Sequence, residues 1–164
     1  MAAVREQRIF DSKAFRSALG AFATGVTVIT TRKGNGEAVG LTANSFNSVS
    51  LDPPLVLWSQ ARTSSRIGAF LESEYYAINV LASDQLELSK RFVGSGSFEG
   101  IEFDEGIGGI PVLRGSCAIF ECRGEARHPG GDHVIFIGRV ERFRHANLEP
   151  LAFQAGRYRR LGEF

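Results

Sequence analysis

The chain of 164 residues is short of several residue types that mark particular protein classes, and each shortage removes a possibility. Only two cysteines occur, Cys117 and Cys122. In a strand their odd separation points them to opposite faces, against a mutual disulfide, and neither falls in a metal-ligand spacing. Both read as small core hydrophobes. Histidine is scarce as well, with three residues. The one grouping to weigh for a metal, His128 with Asp132 and His133, lacks further ligands at a zinc-like spacing, so no metal is expected. No apolar run approaches the roughly 20 residues of a membrane span. The segment Met1–Arg8 lacks the apolar centre of a signal peptide, and a cytoplasmic protein without a membrane partner is expected. Charge of one sign is not in excess: 19 lysines and arginines face 18 aspartates and glutamates. The net +1 leaves no basic surplus for nucleic acid. With no repeat or linker, residues 1–164 are expected to form a single domain.

What is present is a succession of strand signals with a few helices. Asp11 or Ser12 can cap a helix with apolar positions Ala14, Phe15, Ala18, Leu19 and Phe22, stopped by Gly25 and expected to lie against the sheet. Gly25 to Arg32 is β-branched and strand-like. Lys33-Gly34-Asn35-Gly36 carries the Asn-Gly signal of a tight hairpin, and the chain returns along Glu37 to Phe46. Pro53-Pro54 blocks pairing, and Leu55 to Trp58 reads as a strand buried on both sides. Thr63 or Ser64 can cap a helix turning Ile67, Phe70 and Leu71 inward; its start, with hydroxyls and arginines nearby, is either an anion site or plain capping. Tyr75 to Leu81 is a strand. Asp84 and Glu87 stand at capping-box spacing for a helix carrying Leu86, Leu88 and Phe92, whose basic end complements the helix dipole. Val93 to Gly109 is a glycine-rich loop with one turn near Phe98-Glu99-Gly100, and its glycines do not follow a Rossmann pattern. Pro111 to Leu113 and Ser116 to Arg127 are strands. His128-Pro129-Gly130-Gly131-Asp132 is turn chemistry, and His133 to Arg144 returns. The fold class expected is mainly β, mostly antiparallel, closed into a barrel with peripheral helices.

The stretch from Gly40 to Trp58 sets a dense row of small polar side chains against an apolar run. Thr42, Asn44, Phe46, Ser48 and Ser50 share one parity, while Ser45 and Asn47 fall on the other, so an extended strand here shows polar groups on both faces. Such a surface suits the donors and acceptors of a flat polar heterocycle. The same composition also describes a Ser/Asn-rich loop between strands.

Thr42-x-Asn44-Ser45-Phe46, followed by Val49-Ser50-Leu51-Asp52-Pro53-Pro54-Leu55-Val56, resembles the signature of the flavin reductase-like family, the short-chain NAD(P)H:flavin oxidoreductases with an FMN-binding split barrel. Ser89-x-Arg91-Phe92, Gly131-Asp132-His133 and Pro150-Leu151-x-Phe153-x-x-Gly156-x-Tyr158 are similar to further family segments, so the resemblance runs from about Phe15 to Tyr158. Gln154 departs from it, standing where an aromatic or histidine is frequent. The resemblance implies hydride transfer from NADH or NADPH to FMN or FAD, with reduced flavin passing to a flavin-dependent monooxygenase. It implies a homodimer with the flavin at the two-fold interface. Flavin contacts carried over are Thr42, Asn44, Ser45, Ser59, Ser64, Ser65, Ser89, Arg91, Phe92 and Tyr158. His133 is carried over as the catalytic-side residue touching the nicotinamide or the reduced flavin. Two other readings stay open: a flavoprotein with tightly bound FMN reducing another substrate, and a non-catalytic flavin- or haem-binding split barrel.

Overall fold

A computed structural model of the chain describes residues 10–163. The expectation for Met1–Arg8 lies outside the described residues. Seven strands form one antiparallel sheet: β2 (Thr27–Arg32), β3 (Ala38–Ala43), β4 (Asn47–Leu51), β5 (Pro54–Ala61), β6 (Tyr75–Val80), β9 (Ala118–Gly130) and β10 (His133–His145). Their order is β3-β2-β6-β9-β10-β5-β4. Three short strands, β1 (Thr24–Gly25), β11 (Ala152–Gln154) and β12 (Arg157–Arg159), make a second sheet, and β7 (Phe103–Glu105) pairs with β8 (Pro111–Leu113). β7 lies in the stretch expected to be loop.

The main core follows from strand parity. Val56 and Trp58 on β5 point inward with Ile29, Tyr76, Ile78, Val134 and Phe136. The Trp58 ring stacks on Phe136 at 4.4 Å and meets the edges of Phe70 at 5.0 Å and Tyr76 at 5.7 Å. Gly138 on β10 lies under the Tyr76 phenol, where a Cβ would collide with the hydroxyl. The opposite face of β5, with Leu55, Leu57, Ser59 and Ala61, is only half-buried, which corrects the expectation of burial on both sides. Strands buried on both faces are β2 and β6. In β2 both faces reach a core cluster. Its Ile29 enters the main core, while Val28 joins Leu81, Phe92, Leu113 and Leu151 in a second cluster beneath the short strands.

The sheet does not close. No ladder joins β3 to β4, which are its two edges. They are consecutive in sequence, but β3 leaves the sheet at Ala43 and β4 pairs only with β5. Just before β4 begins, Ser45 stands opposite Ser59 in the β4–β5 register, its hydroxyl donating to the Ser59 carbonyl (3.0 Å) and accepting from the Ser59 N–H (2.9 Å). One side chain thus extends the β4–β5 ladder, while the seam between β3 and β4 stays open and the barrel is split rather than closed.

The helices depart from expectation where tertiary contacts intervene. Asp11 caps α1 (Ser12–Leu19), accepting from Lys13 N–H and Ala14 N–H, but the helix ends at Gly20, short of Gly25. Its apolar face does not lie against the sheet: Phe15 is 49% exposed and Leu19 59%, with Phe22 beyond at 79%. In α2 (Ile67–Glu72) Phe70 is buried, but Leu71 is exposed and no side chain caps the start. The Ser64 hydroxyl is engaged by Gln60 Nε2 and Arg66 N–H. At α3 (Leu86–Val93) the Asp84–Glu87 box does not form. Gln85 instead holds the entry, accepting from Ala82 N–H and donating to the Arg114 carbonyl, and Glu87 pairs with Lys90. His128 and Pro129 belong to β9, and the turn to β10 is just Gly131-Asp132. Near the far end of this hairpin, the buried Glu121 carboxylate accepts from Arg142 (2.8 and 2.6 Å) and from the Ile107 N–H (2.8 Å).

Candidate active site

Two depressions meet at Asn44, the exposed residue where β3 leaves the sheet. A narrow one of about 170 Å³ is walled by Val26, Phe153, Val93 and Tyr158 beside Thr42 and Asn44. A wider one of about 460 Å³ continues past Asn44 to Ser45, Phe46, Asn47 and Leu57, with Phe22 and Thr24 on its other side. The walls are largely apolar and the shared rim is polar, the combination that binds a flat heterocycle.

Hydrogen-bond accounting shows what each polar group has left to offer. A hydroxyl carries one hydrogen. Thr42 spends its hydrogen on the Ser89 carbonyl (2.6 Å) and Ser45 spends its own on Ser59, so toward a ligand both can only accept. Ser89, fully buried, bonds the Tyr158 hydroxyl at 2.9 Å. Tyr158 also meets Phe153 edge-on at 5.3 Å, so its ring is fixed from two sides. Asn44 makes no side-chain hydrogen bond among the described residues, which leaves its amide free both to donate and to accept.

The other residues named from the sequence are placed as follows. Phe92 is fully buried against Phe98, directly beneath Gly40, so its ring is floor rather than contact surface. Ser59 takes part through its backbone, its side chain half-buried on the outer face of β5. Ser64 is committed to Gln60 and Arg66, and Ser65 is exposed beside it. Arg91 is exposed and donates one N–H to the Glu99 carbonyl (2.6 Å), keeping the other donors of its guanidinium. Arg66 has a role the sequence did not reveal. Its guanidinium donates to the Phe92 carbonyl (3.0 Å) and to the Gly94 carbonyl, joining the start of α2 to the end of α3. The acceptors are main-chain groups, which leave no mark in a sequence; nor does the sequence mark Val26 in its strand, or Phe153 in its family-like segment, as a wall of the depression.

His133 opens β10, paired with Ala61 and Gly130. Ser59 faces Ile135, so His133 stands one same-face step, about 7 Å, further along from the Ser45–Ser59 contact. Its Nδ1 lies 2.7 Å from Asp132 Oδ1. That bond holds the Asp132 carboxyl below its ordinary value.

Residues 19–162 match the flavin reductase like domain. The chain belongs to the flavin reductase-like family. It is 50% identical to the FMN reductase (NADH) SmoA of Agrobacterium fabrum, over 92% of this chain and 87% of that one. It is 41% identical to the reductase component of the flavin-dependent trigonelline monooxygenase of Acinetobacter baylyi, over 87% of this chain. The chain spans about half of that longer relative, 47%. Among solved structures, the styrene monooxygenase flavin reductase of Pseudomonas putida S12 superposes with a TM-score of 0.83 at 32% identity, covering 91% of this chain and 97% of that one. Within this flavin reductase-like chain, the stretch from Thr42 to Phe46 falls on the rim of both depressions, whereas the Ser89-to-Phe92 segment contributes support: Ser89 holds Thr42 and Tyr158, and Phe92 underlies β3.

Proposed function

We propose that this chain is an NAD(P)H:flavin oxidoreductase whose reduced flavin serves a separate flavin-dependent monooxygenase. The observation that carries the reading is the uncommitted Asn44 amide at the junction of two apolar-walled depressions. The flavin pyrimidine edge presents an N–H between carbonyl oxygens, and an amide that both donates and accepts matches it. Thr42 and Ser45, able only to accept, suit an N–H rather than a ring carbonyl. The donor set therefore fits the group. Phe153, Tyr158, Val26 and Leu57 supply apolar walls, and Arg91 retains donors for phosphate oxygens. When bound, FMN or FAD supplies the hydride-accepting chemistry, and NADH or NADPH the hydride. The protein's residues bind, orient and exclude water; His133, on the same face as Ser59, is assigned to the nicotinamide side.

A homodimer is part of this reading. Its support is the apolar face of α1, with Phe15, Leu19 and Phe22 uncovered, and Phe143 at 68% exposure on β10. A cytoplasmic location, where reduced nicotinamide is available, belongs to the same reading; among the described residues no helix is long and apolar enough to cross a membrane. Anaerobic mixing of the protein with NADH and FMN should bleach the oxidised flavin band with turnover. No acceleration over the protein-free reaction with either nicotinamide would refute the function. Desalting distinguishes a diffusible flavin from a retained one, because stoichiometric retention would make it a prosthetic group. Sedimentation should show a species of twice 17.9 kDa; monomer alone at micromolar concentration would refute the dimer.

A further inference from the structure

The turn between β9 and β10 is held more firmly than a two-residue hairpin requires. Gly131 takes φ +66°, and a third segment then grips the turn from the side. The backbone N–H of Arg62, just beyond β5, donates to the Asp132 carbonyl (2.9 Å), and Arg62 Nε donates to the Gly131 carbonyl (3.1 Å). With the turn fixed, the Asp132 carboxylate reaches His133 Nδ1 at 2.7 Å. The imidazole is thereby gripped at one nitrogen, while Nε2 has no hydrogen-bond partner among the described residues.

We propose that Asp132 and Arg62 are positioning residues for the reductive step: Arg62 fixes the turn, and Asp132 accepts from His133 Nδ1–H so that Nε2 faces the nicotinamide. The proposal rests on the assignment of His133 to the nicotinamide side. A carboxylate bonded to one imidazole nitrogen sets both ring orientation and tautomer, leaving the other nitrogen to act as acceptor. The Asp132 side chain is 93% exposed, so the pair contributes little to folding. Its effect is therefore expected in kinetics rather than stability.

The test is a double-mutant cycle on the full chain, read by anaerobic stopped-flow reduction of bound flavin with NADH. Asp132→Ala is expected to lower the reduction rate constant divided by the NADH dissociation constant by about five- to twentyfold, and Arg62→Ala by about two- to fivefold. Asp132→Asn, whose amide keeps a bond to Nδ1 but can donate as well as accept and so no longer fixes the tautomer, should recover only part of the loss. Flavin affinity by fluorescence titration should stay within about twofold for all three, a readout that general damage to the fold would move. In a His133→Ala background, Asp132→Ala should cost nothing more. An equal loss in both backgrounds would overturn the proposal, as would full activity of Asp132→Ala alongside an impaired His133→Ala. Normal reduction by His133→Ala itself would instead overturn the assignment of the histidine, and the proposal with it.

Discussion

Replacing Ser45 with alanine tests whether the end of the β4–β5 pairing or the ligand is the main client of this hydroxyl. In the structure the one oxygen satisfies both main-chain groups of Ser59, at 2.9 and 3.0 Å, where the β4–β5 ladder ends beside the open seam. Each bond contributes about 1 kcal/mol net, and leaving the Ser59 groups half-buried without partners adds to the loss, while water entering the open seam offsets part of it. The expected destabilisation is about 1–3 kcal/mol, a five- to 150-fold shift in the unfolding equilibrium. For a chain of this size that lowers Tm by about 2–4 °C per kcal/mol. Trp58, the single tryptophan, is fully buried and adjacent to Ser59, so its emission in a denaturant titration reports on the affected strand. Flavin affinity should fall by no more than about tenfold, because the hydroxyl has only an acceptor left to lose. A Ser45→Ala protein with wild-type stability and flavin binding weakened a hundredfold would refute this account and make Ser45 a ring ligand.

Asn44→Ala removes the free amide and should weaken flavin binding by about five- to 150-fold, corresponding to about 1–3 kcal/mol for two hydrogen bonds, with a midpoint of unfolding close to wild type because Asn44 is exposed. Glu121→Gln removes the charge from the pair with Arg142 but keeps an acceptor, and because the Arg142 guanidinium is half exposed it should destabilise by about 1–2 kcal/mol, measured by denaturant unfolding at neutral pH. Burial pushes the Glu121 carboxyl up, but bonds from Arg142 and the Ile107 N–H outweigh it and hold it below the ordinary 4.5. Its stabilisation is thus fully present above about 4.5 and lost as the pH falls through the lower folded value, so Glu121→Gln should show a flatter acid limb of stability. Burial also pushes the Cys122 thiol up to about 12, and both cysteines are buried, so a thiol reagent should label neither in the native protein and both after unfolding.

The features legible in the sequence are those set by neighbouring residues. Asp11 caps the first helix because its carboxylate reaches the next turn of its own chain, and Asn35-Gly36 makes a hairpin because Gly36 accepts φ +86°. The polar parity of Thr42 and Asn44 is local in the same way, and the structure puts both residues at the edge of a depression. Distant partners defeated the remainder. Ser64 looked like a cap and is occupied by Gln60; Asp84 and Glu87 looked like a box and were displaced by Gln85 reaching Arg114. Burial of β2 on both faces and of β5 on one depends on which flank receives the second cluster, which no run of apolar residues encodes. The uncovered face of α1 reads in sequence just like one that packs.

The glycine beneath the Tyr76 phenol constrains the routes along which this chain can vary. Gly138 sits in the middle of β10, where glycine is a poor strand former, yet any side chain there would strike the phenol and press on Cys122. The Tyr76 hydroxyl finds no hydrogen-bond partner among the described residues, so phenylalanine at that position gives up nothing in pairing and opens space above the strand. The contact with Cys122 is to its Cβ, which every residue but glycine carries, so larger residues at 138 need loss of the phenol hydroxyl and a local shift of β9 as well. In a random library position 76 should therefore change before the glycine does.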